Sequence, residues 1–452
     1  MERTFSIHTI GCKLNQFESE WIREALLRRS WEFRRFEECA QFHIINSCTV
    51  TGRSDARCRN AVRRARKRCP EAFIIVTGCY AEVQPAALSA MGEVDLVLGN
   101  VGKRSLPAIM EEIVSGRTRE TELPDGMGAT RITGEEGAID CFLDHSRAFV
   151  KIQDGCDASC SYCIVPRARG PSRSIPAEAV LEQASLLAER GFHEIVLSGI
   201  HLGRYGRDLQ PATTLADLVE MLTARGGDMR FRLSSIEVNE LSARLVDLIA
   251  SGDRIAPHLH VPLQSGDDSI LRAMNRPYDA AAFKAKIEEV ARKRPGIGIG
   301  TDVIVGFPGE TAECFGRTLG LVREMPLSYL HVFSFSSRPG TAAAAMPGRV
   351  EPAEKKRRSA ALIALGRRKK LAFMRAQIGT IQPALIQEAA HRASPFCEAL
   401  TGNYCEVRIA REASAVGKLA PVRITHYSRG TLYGSCAPEP AGDDAPARKA
   451  KG

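Results

Sequence analysis

Three cysteines, Cys156, Cys160 and Cys163, have a C-x3-C-x2-C spacing that is suited to holding a metal cluster. They follow the apolar stretch 148–152 on a loop marked by Gly155, so their thiols lie close together along the chain. Cysteine thiolates are the usual protein ligands of [4Fe–4S] clusters. Three thiolates would hold three of the four irons and leave one iron open to bind and reduce a small molecule. The spacing therefore indicates a catalytic site rather than a structural one.

Three other uses of these cysteines fit less well. Structural zinc needs a fourth ligand, such as Cys141 or His145, and zinc sites usually combine one C-x2-C with a second pair, which the chain lacks. Disulfides are disfavoured because no signal peptide or apolar span is visible, which predicts a cytoplasmic protein without a membrane partner. A thioredoxin-like motif would be C-x-x-C alone, and Cys156 adds a third cysteine.

Three more cysteines each follow a predicted strand near the N-terminus: Cys12, Cys48 and Cys79. Strands that alternate with helices predict a parallel sheet, and ligands gather outside the carboxyl ends of such strands. We therefore expect these thiols to converge, although three buried cysteines without a function would show the same placement. The other eight cysteines are interpreted as structural or incidental: Cys39, Cys58, Cys69, Cys141, Cys314, Cys397, Cys405 and Cys436.

Length and composition predict a soluble protein of two to three domains, since the chain has 452 residues of which 25% are charged. Its net charge of +9 is concentrated in the segment 354–375, where nine basic residues face one acidic residue. A second basic segment covers 57–68. Basic stretches of this kind are typical of nucleic-acid binding, although solvated helix faces would look the same.

Strand–helix units recur from residue 149 onward and predict a partial (β/α)6 barrel of the TIM type, with functional loops at the strand ends. Beyond the basic segment 354–375, short strands separated by glycines predict a small β-barrel. The predicted fold class is α/β, in five segments: an N-terminal parallel-sheet domain (3–117), a polar linker (118–145), the partial barrel (146–372), the small β-barrel (373–437) and a disordered tail (438–452).

Together these motifs resemble the radical S-adenosylmethionine (SAM) superfamily and, within it, the methylthiotransferase family. The superfamily signature is C-x3-C-x2-C with an aromatic residue before the last cysteine, which is Tyr162 here. The C-terminal barrel is similar to the TRAM domain, an RNA-binding module, so the resemblance covers about residues 3–437. The methylthiotransferase markers include Gly11-Cys12-Lys13-Leu14-Asn15-Gln16, Asn46-Ser47-Cys48-Thr49, Thr77-Gly78-Cys79, Leu197-Ser198-Gly199-Ile200-His201 and Gly306-Phe307-Pro308-Gly309-Glu310-Thr311.

The resemblance implies two [4Fe–4S] clusters and two molecules of SAM per turnover. The cluster on the first three cysteines would cleave SAM to a 5′-deoxyadenosyl radical, and a second cluster on Cys12, Cys48 and Cys79 would carry or deliver sulfur. Radical chemistry suits an aromatic carbon, whose hydrogen is not acidic enough for a side-chain base. The SAM contacts implied by the motifs are Tyr162, Ser198, Gly199, Ser235, Glu237, Gln264, Ser265, Val305 and Gly306.

The sequence around Cys12 favours one of three substrates that the family modifies. These are threonylcarbamoyladenosine in tRNA, isopentenyladenosine in tRNA and an aspartate of a ribosomal protein. Cys-Lys-Leu-Asn-Gln at 12–16 and Leu-Gly-Arg-Tyr-Gly at 202–206 are similar to the threonylcarbamoyladenosine group, whereas the isopentenyl group usually has Cys-Gln-Met-Asn. We therefore predict an enzyme that modifies this nucleoside beside the anticodon.

The predicted partners are a tRNA anticodon stem-loop, an electron donor such as flavodoxin or ferredoxin, and a sulfur donor. Arg167, Arg169 and Arg173 follow the cysteine loop and either contact RNA or form structural ion pairs. A non-enzymatic iron–sulfur protein that binds RNA is the alternative from a different functional class, and it would need no open iron.

Overall fold

The chain divides into two compact units, residues 1–369 and 370–452. The predicted linker (118–145) and the predicted tail (438–452) lie outside the described residues. No helix in the described part of the chain combines the length and the apolar character needed to cross a bilayer. The computed structural model describes five stretches: 3–116, 146–225, 227–388, 394–411 and 416–437.

The N-terminal part of the first unit is a five-stranded parallel sheet covered by helices on both faces, as predicted. Its elements are β1 (Thr4–Thr9), α1 (Lys13–Leu27), β2 (Glu32–Phe33), β3 (Phe42–Ser47), α2 (Gly52–Arg68), β4 (Phe73–Gly78), α3 (Cys79–Val83), α4 (Pro85–Ser89), β5 (Leu96–Leu98) and α5 (Leu106–Val114). The strand order is β2-β1-β3-β4-β5. On the central strand, Ile44 packs with residues of α1 and α5, whereas Ile45 packs with α2 on the other face.

The rest of the first unit is an open barrel of six parallel strands with helices outside, which confirms the predicted partial barrel. The six barrel strands are β6 (Ala148–Lys151), β9 (Glu194–Ser198), β10 (Arg230–Leu233), β11 (His258–His260), β12 (Gly298–Val305) and β13 (Tyr329–Ser334). Two short strands, β7 (Gln153–Asp154) and β8 (Arg173–Ser174), form a separate antiparallel pair. The helices are α6 (Val165–Arg169), α7 (Ala177–Glu189), α8 (Leu215–Ala224), α9 (Ala243–Ser251), α10 (Asp268–Ala273), α11 (Ala280–Lys293), α12 (Ala312–Glu324) and α13 (Pro352–Ala376).

These six strands form two three-stranded sheets, β10-β9-β6 and β11-β12-β13. Parallel bridges from Phe231 to Ile255 and from Ser235 to His260 join the two sheets. The strands therefore follow one another around the barrel in chain order, and helix α1 packs beside the first of them, β6. This order brings the carboxyl ends of all six strands to one rim, where sites form in such barrels.

The second unit is a closed β-barrel with the strand order β14-β15-β16-β18-β17, and it confirms the small barrel predicted from the sequence. Among the described strands of this barrel, β16 and β18 pair in parallel and all the other neighbouring strands pair antiparallel. Buried apolar side chains such as Ile386, Val407 and Ile424 fill its interior. The strands are β14 (Ile381–Gln387), β15 (Phe396–Thr401), β16 (Glu406–Ala410), β17 (Leu419–Ser428) and β18 (Thr431–Cys436).

Candidate metal centres

The first three cysteines lie on a tightly held loop between β7 and α6. Gly155 opens the loop with a φ of +72°, a left-handed conformation that favours glycine. The backbone N–H of Cys156 then donates to the carbonyl oxygen of Gly170 at 3.0 Å, which closes the loop. A Cβ on Gly155 would lie only 1.9 Å from the carbonyl oxygen of Pro171. The loop that presents the cysteines therefore depends on the absence of a side chain at this position.

We expect Gly155→Ala to displace the loop and to lower the iron bound at the first three cysteines severalfold. The added methyl group has to move backbone rather than a flexible side chain, because its nearest atom is a carbonyl oxygen. Iron analysis of the anaerobically reconstituted variant measures the effect. Gly191→Ala is the matched control, since Gly191 also has a positive φ, of +84°, but nothing lies within 4 Å of its added Cβ. Equal iron contents in the two variants would contradict this account of the loop.

Two side chains that the sequence analysis did not assign donate toward the thiols of this loop. Nδ1 of His201 lies 3.3 Å from Sγ of Cys156, and its Nε2 lies 2.8 Å from Glu240. Nη1 of Arg276 donates to Sγ of Cys160 at 3.3 Å. Burial alone would lower the pKa of His201, but its contacts with Cys156 and Glu240 raise that pKa to about 9. Both groups therefore favour thiolate sulfur, the form that binds iron.

The third thiol of the loop shares this environment. Burial raises the pKa of Cys163 to about 12, and negative charge on Cys160 and Cys156 raises it as well. This mutual repulsion means that the three sulfurs lie within electrostatic reach of one another. A buried thiol with a raised pKa, such as that of Cys163, gains from a cation that replaces its proton.

The second three cysteines also come together, at the carboxyl end of the N-terminal sheet. Cys12 is the N-cap of α1, Cys48 directly follows β3, and Cys79 is the first residue of α3. A Cβ on Gly11 would lie 2.8 Å from the Cβ of Cys48, so the β1 and β3 ends are in contact. Burial raises the pKa of Cys48 to about 11, and negative charge on Cys79 and Cys12 raises it as well. The three thiols therefore lie within electrostatic reach of one another.

Helix α6, which starts just after the cysteine loop, connects the two groups of cysteines. Asn100 donates to the carbonyl oxygen of Ala168 at 2.5 Å and lies 3.8 Å from the sulfur of Cys79. Arg169 donates to Oδ1 of Asn15, in the first turn of α1, at 2.6 Å. Asn100, which lies beside Cys79, and Asn15, which lies near Cys12 in sequence, therefore both contact α6. The two candidate centres are thus neighbours.

Arg169 was predicted either to contact RNA or to form a structural ion pair. It is buried and forms ion pairs, so the structure supports the second role. Its guanidinium donates to Glu18 at 2.8 Å and to Asp154 at 3.1 Å. Lys103 also pairs with Glu18, and Lys151 lies 3.6 Å from Asp154. Burial would raise the pKa of Glu18, but Arg169 and the two lysines hold it far below its usual range. The network is charged at neutral pH and fixes α1 against the barrel.

The two other arginines of that group hold backbone carbonyl groups within the first unit. Arg167 donates to the carbonyl oxygen of Pro339 at 3.1 Å, and Arg173 donates to that of Arg169 at 2.9 Å. Because Arg167 is exposed and neither contact is an ion pair, both roles stay predictions for these two residues.

The chemistry of both groups fits iron–sulfur clusters. All six thiols are free cysteines. Besides the two side-chain donors, the backbone N–H of Ala158 donates to Sγ of Cys156 at 3.4 Å, and N–H groups directed at sulfur are typical of cluster sites. The zinc alternative required Cys141 or His145, which both lie outside the described residues.

Two of the cysteines that were interpreted as structural or incidental are bonded to each other. Cys39 and Cys69 form a disulfide with their Cα atoms 5.6 Å apart, in the N-terminal part of the first unit. The sequence analysis disfavoured disulfides, and no spacing signal connected these two residues, which are 30 positions apart.

The predicted SAM contacts lie on the cysteine loop and at the ends of the barrel strands, and several side chains there are already engaged. Ser198 donates its hydroxyl to the carbonyl oxygen of Val196 at 3.3 Å. The hydroxyl of Ser265 lies 3.3 Å from that of Thr318 and is fully buried. The side chain of Val305 is buried as well. These positions offer backbone groups to a ligand rather than side chains.

Other predicted contacts are open. Ser235 is exposed, and Gln264 is half-buried with a φ of +67°. Glu237 pairs with Arg276 and lines a cavity of about 240 Å³ beside Cys160.

The remaining three predicted contacts, Gly306, Gly199 and Tyr162, are each constrained by neighbouring groups. Gly306 has a φ of +71°, and its N–H donates to Glu310 at 2.7 Å. A Cβ on Gly199 would lie 3.0 Å from Gln153. Tyr162 packs in the apolar cluster that contains Phe307.

Two family models match the chain. One describes the uncharacterized protein family UPF0004 and matches residues 4–99, and the other describes the radical SAM superfamily and matches residues 150–322. The cofactors of that superfamily are SAM and a [4Fe–4S] cluster, and the cysteine loop lies inside the matched range. Among solved structures, the radical SAM methyltransferase TsrM from Kitasatospora setae is similar in fold, with a TM-score of 0.57 at 14% identity, covering 76% of this chain and 77% of that chain.

Curated relatives match nearly the whole chain. It is 36% identical over 423 residues to threonylcarbamoyladenosine tRNA methylthiotransferase MtaB of Bacillus subtilis, covering 93% of both chains. It is 35% identical to MtaB of Aquifex aeolicus, covering 93% of this chain and 99% of the relative. A tRNA-2-methylthio-N(6)-dimethylallyladenosine synthase of Pelotomaculum thermopropionicum is 32% identical, covering 94% and 95%. With both cysteine groups in place and this similarity along its length, the chain belongs to the radical SAM methylthiotransferase family.

Proposed function

We propose that this protein is a tRNA methylthiotransferase that converts N6-threonylcarbamoyladenosine beside the anticodon to its 2-methylthio derivative. The observation that carries the proposal is the pair of neighbouring cysteine groups, one at the sheet and one at the barrel. Four relatives named for this substrate are 35% to 38% identical to the chain, whereas those named for the dimethylallyl nucleoside reach 32%. A regulator that only binds RNA would need no second thiol group beside a SAM site.

The proposal gives each part of the chain a separate task. Residues 3–117 would hold one [4Fe–4S] cluster on Cys12, Cys48 and Cys79, and residues 146–372 a second one on the cysteine loop. When bound, the clusters supply an electron for SAM cleavage and a place for sulfur, and two molecules of SAM are used per turnover. His201 and Arg276 would then stabilise the negative charge on the loop sulfurs by hydrogen bonding.

We infer that RNA contacts come from exposed basic side chains and from the TRAM-like unit, residues 373–437. Lys356, Arg367 and Arg368 of α13 are exposed. Arg358 of the same helix is not available, because it is buried and pairs with Glu310 at 2.6 Å. Exposed cations bind phosphates in a salt-dependent way, so tRNA affinity should fall as salt rises. An electron donor such as flavodoxin or ferredoxin and a sulfur donor complete the proposed set of partners in the cytoplasm.

Deleting the gene should remove 2-methylthio-N6-threonylcarbamoyladenosine from tRNA and leave the unthiolated nucleoside in its place. Nucleoside mass spectrometry of total tRNA from the deletion strain measures both species, and a plasmid copy of the gene should restore the product. A copy with Cys156→Ala should not restore it. Persistence of the product, or loss of the methylthio dimethylallyl nucleoside instead, would contradict the proposed substrate.

A further inference from the structure

A network of polar side chains lines the inner face of three neighbouring barrel strands. One carboxylate oxygen, Oδ1 of Asp302 on β12, lies 2.8 Å from Nε2 of His260 on β11 and 3.2 Å from Nδ1 of His331 on β13. The residues that alternate with them, such as Leu259 and Val303, pack into the core shared with the outer helices. Because side chains alternate along a strand, His260, Asp302 and His331 face into the barrel. We call these three residues the barrel triad.

The solvent exposure of the side chains increases along the barrel triad from His260 to His331. The side chain of His260 is 9% exposed, that of Asp302 is 22% exposed and that of His331 is 56% exposed. On the buried side, Nδ1 of His260 lies 3.2 Å from the hydroxyl of Tyr329, which lies 2.8 Å from Nε2 of His258. The buried members are therefore fixed by their neighbours, whereas the Asp302–His331 end is accessible to a ligand inside the barrel.

The contacts also determine which ring nitrogens carry protons. An ionised carboxylate only accepts hydrogen bonds, so the nitrogens facing Asp302 must donate. Burial would raise the pKa of Asp302, but hydrogen bonds from His260 and His331 hold it far below its usual range, so it is ionised. Nδ1 of His331 therefore carries a proton, and in the neutral ring its Nε2 accepts. The exposed end of the triad offers one nitrogen acceptor and one carboxylate edge.

Deeper in the barrel the side chains are mostly basic. Arg230 and Arg232 pair with Glu194 at 2.5 and 2.9 Å, and Arg147 lies 3.7 Å from the same carboxylate. Burial and the positive charge of Arg232 hold the pKa of His258 well below its usual range. The charges of these groups sum to a positive value behind the triad. A ligand that carries a carboxylate is favoured in such a field.

We propose that the barrel triad binds the threonylcarbamoyl substituent of the substrate nucleoside, with His331 as the residue that contacts it. This inference rests on the proposed function and adds the residues that select the substrate. The substituent has a urea group, a hydroxyl group and a carboxylate, so it can donate to Nε2 of His331 and to Asp302. A dimethylallyl group has none of these. If it bound here, it would cover Nε2 of His331 and the Asp302 carboxylate without offering them hydrogen bonds, which is how polar sites reject apolar analogues.

The test measures binding of three anticodon stem-loops that differ only at the modified adenosine, to anaerobically prepared protein containing its clusters. The adenosine is unmodified, carries the threonylcarbamoyl group or carries the dimethylallyl group. The unvaried protein should bind the threonylcarbamoyl loop about tenfold more tightly than the unmodified loop, the effect of one or two net hydrogen bonds. His331→Leu should bring that ratio close to one.

Two further variants keep the test decisive if the leucine disturbs folding. His331→Gln places an amide near the position of Nε2 and should keep part of the preference. His331→Asn retains only a group near Nδ1 and should lose the preference. His193→Leu is the control, because His193 lies just before β9 and outside the triad, and it should bind like the unvaried protein.

The outcomes separate this inference from the proposed function. A preference that persists in His331→Leu and His331→Asn would overturn the role of the triad, while the nucleoside analysis of the deletion strain decides the function independently. Two histidines and a carboxylate are also a possible set of ligands for a divalent ion, since their ligand atoms lie within 4.8 Å of one another. A preference that disappears with EDTA and returns with Mn²⁺ would replace direct recognition by a metal site and overturn the proposal.

Discussion

Replacing Cys156 with alanine should abolish the formation of 5′-deoxyadenosine from SAM and lower the iron content from about eight to about four per chain, since each cubic cluster carries four irons. Two thiolates cannot hold a cluster that three were arranged to bind. The measurement combines iron analysis after anaerobic reconstitution with chromatography of the nucleosides formed when dithionite and SAM are added. No 5′-deoxyadenosine is expected, because the proposed function assigns SAM cleavage to this cluster alone.

The N-terminal cysteines should respond differently. Cys48→Ala should also leave about four irons per chain, but it should still form 5′-deoxyadenosine and fail to produce the methylthio nucleoside. Cys58→Ala is the matched control, because Cys58 is a fully buried cysteine on α2 in the same part of the chain and is not one of the six predicted ligands. It should keep the full iron content and both activities. Bound zinc in place of iron, or loss of 5′-deoxyadenosine in both variants, would contradict the division of tasks.

The positions of the six cysteines were predictable because they depend on local patterns. Cys48 and Cys79 each directly follow a short buried strand, and parallel strands of one sheet end at the same edge. The cysteine loop carries its own spacing signal. The shape of the barrel was predictable for the same reason, since each strand–helix unit has its own periodicity.

The groups around the cysteines were not predictable, because each contact joins residues far apart in the chain. Arg276 and Cys160 are 116 positions apart, and Arg169 and Glu18 are 151 positions apart. No local pattern distinguishes an arginine that pairs inside the protein from one that meets RNA. The basic helix α13 shows the consequence, since Arg358 belongs to the predicted basic stretch but is buried.

The barrel triad was missed for a related reason. His260, Asp302 and His331 lie on three separate strands. On its own, each reads as an isolated polar residue in a strand. Only the parallel register, which pairs Asp302 with His331 and His260 with Gly300, brings the three side chains within hydrogen-bonding distance of one another. The proposed substrate selection thus depends on an assembled sheet, as does the N-terminal cysteine group, whereas Cys156, Cys160 and Cys163 lie on a single loop.

Glu194→Gln should lower the free energy of unfolding of the first unit by about 3 kcal/mol at neutral pH. Glu194 is fully buried and accepts from Arg230 and Arg232, so the neutral amide would leave buried guanidinium groups without this counter-charge. Burial would raise the pKa of Glu194, but the arginines lower it to about 2. Urea unfolding of the iron-free protein, followed by circular dichroism, measures the change.

The pH dependence of this effect has a definite sign. Because the pKa of Glu194 is lower in the folded protein than in the unfolded chain, its contribution is complete above the ordinary value of 4.5 and is lost as pH falls toward 2. The stability difference between the two proteins should therefore be constant near neutral pH and shrink below about pH 4.5. Glu220→Gln is the control, because Glu220 pairs with Arg244 on the surface and such pairs contribute little. If both substitutions had the same small effect, the basic cluster inside the barrel would not depend on Glu194, and the positive field behind the barrel triad would need another source.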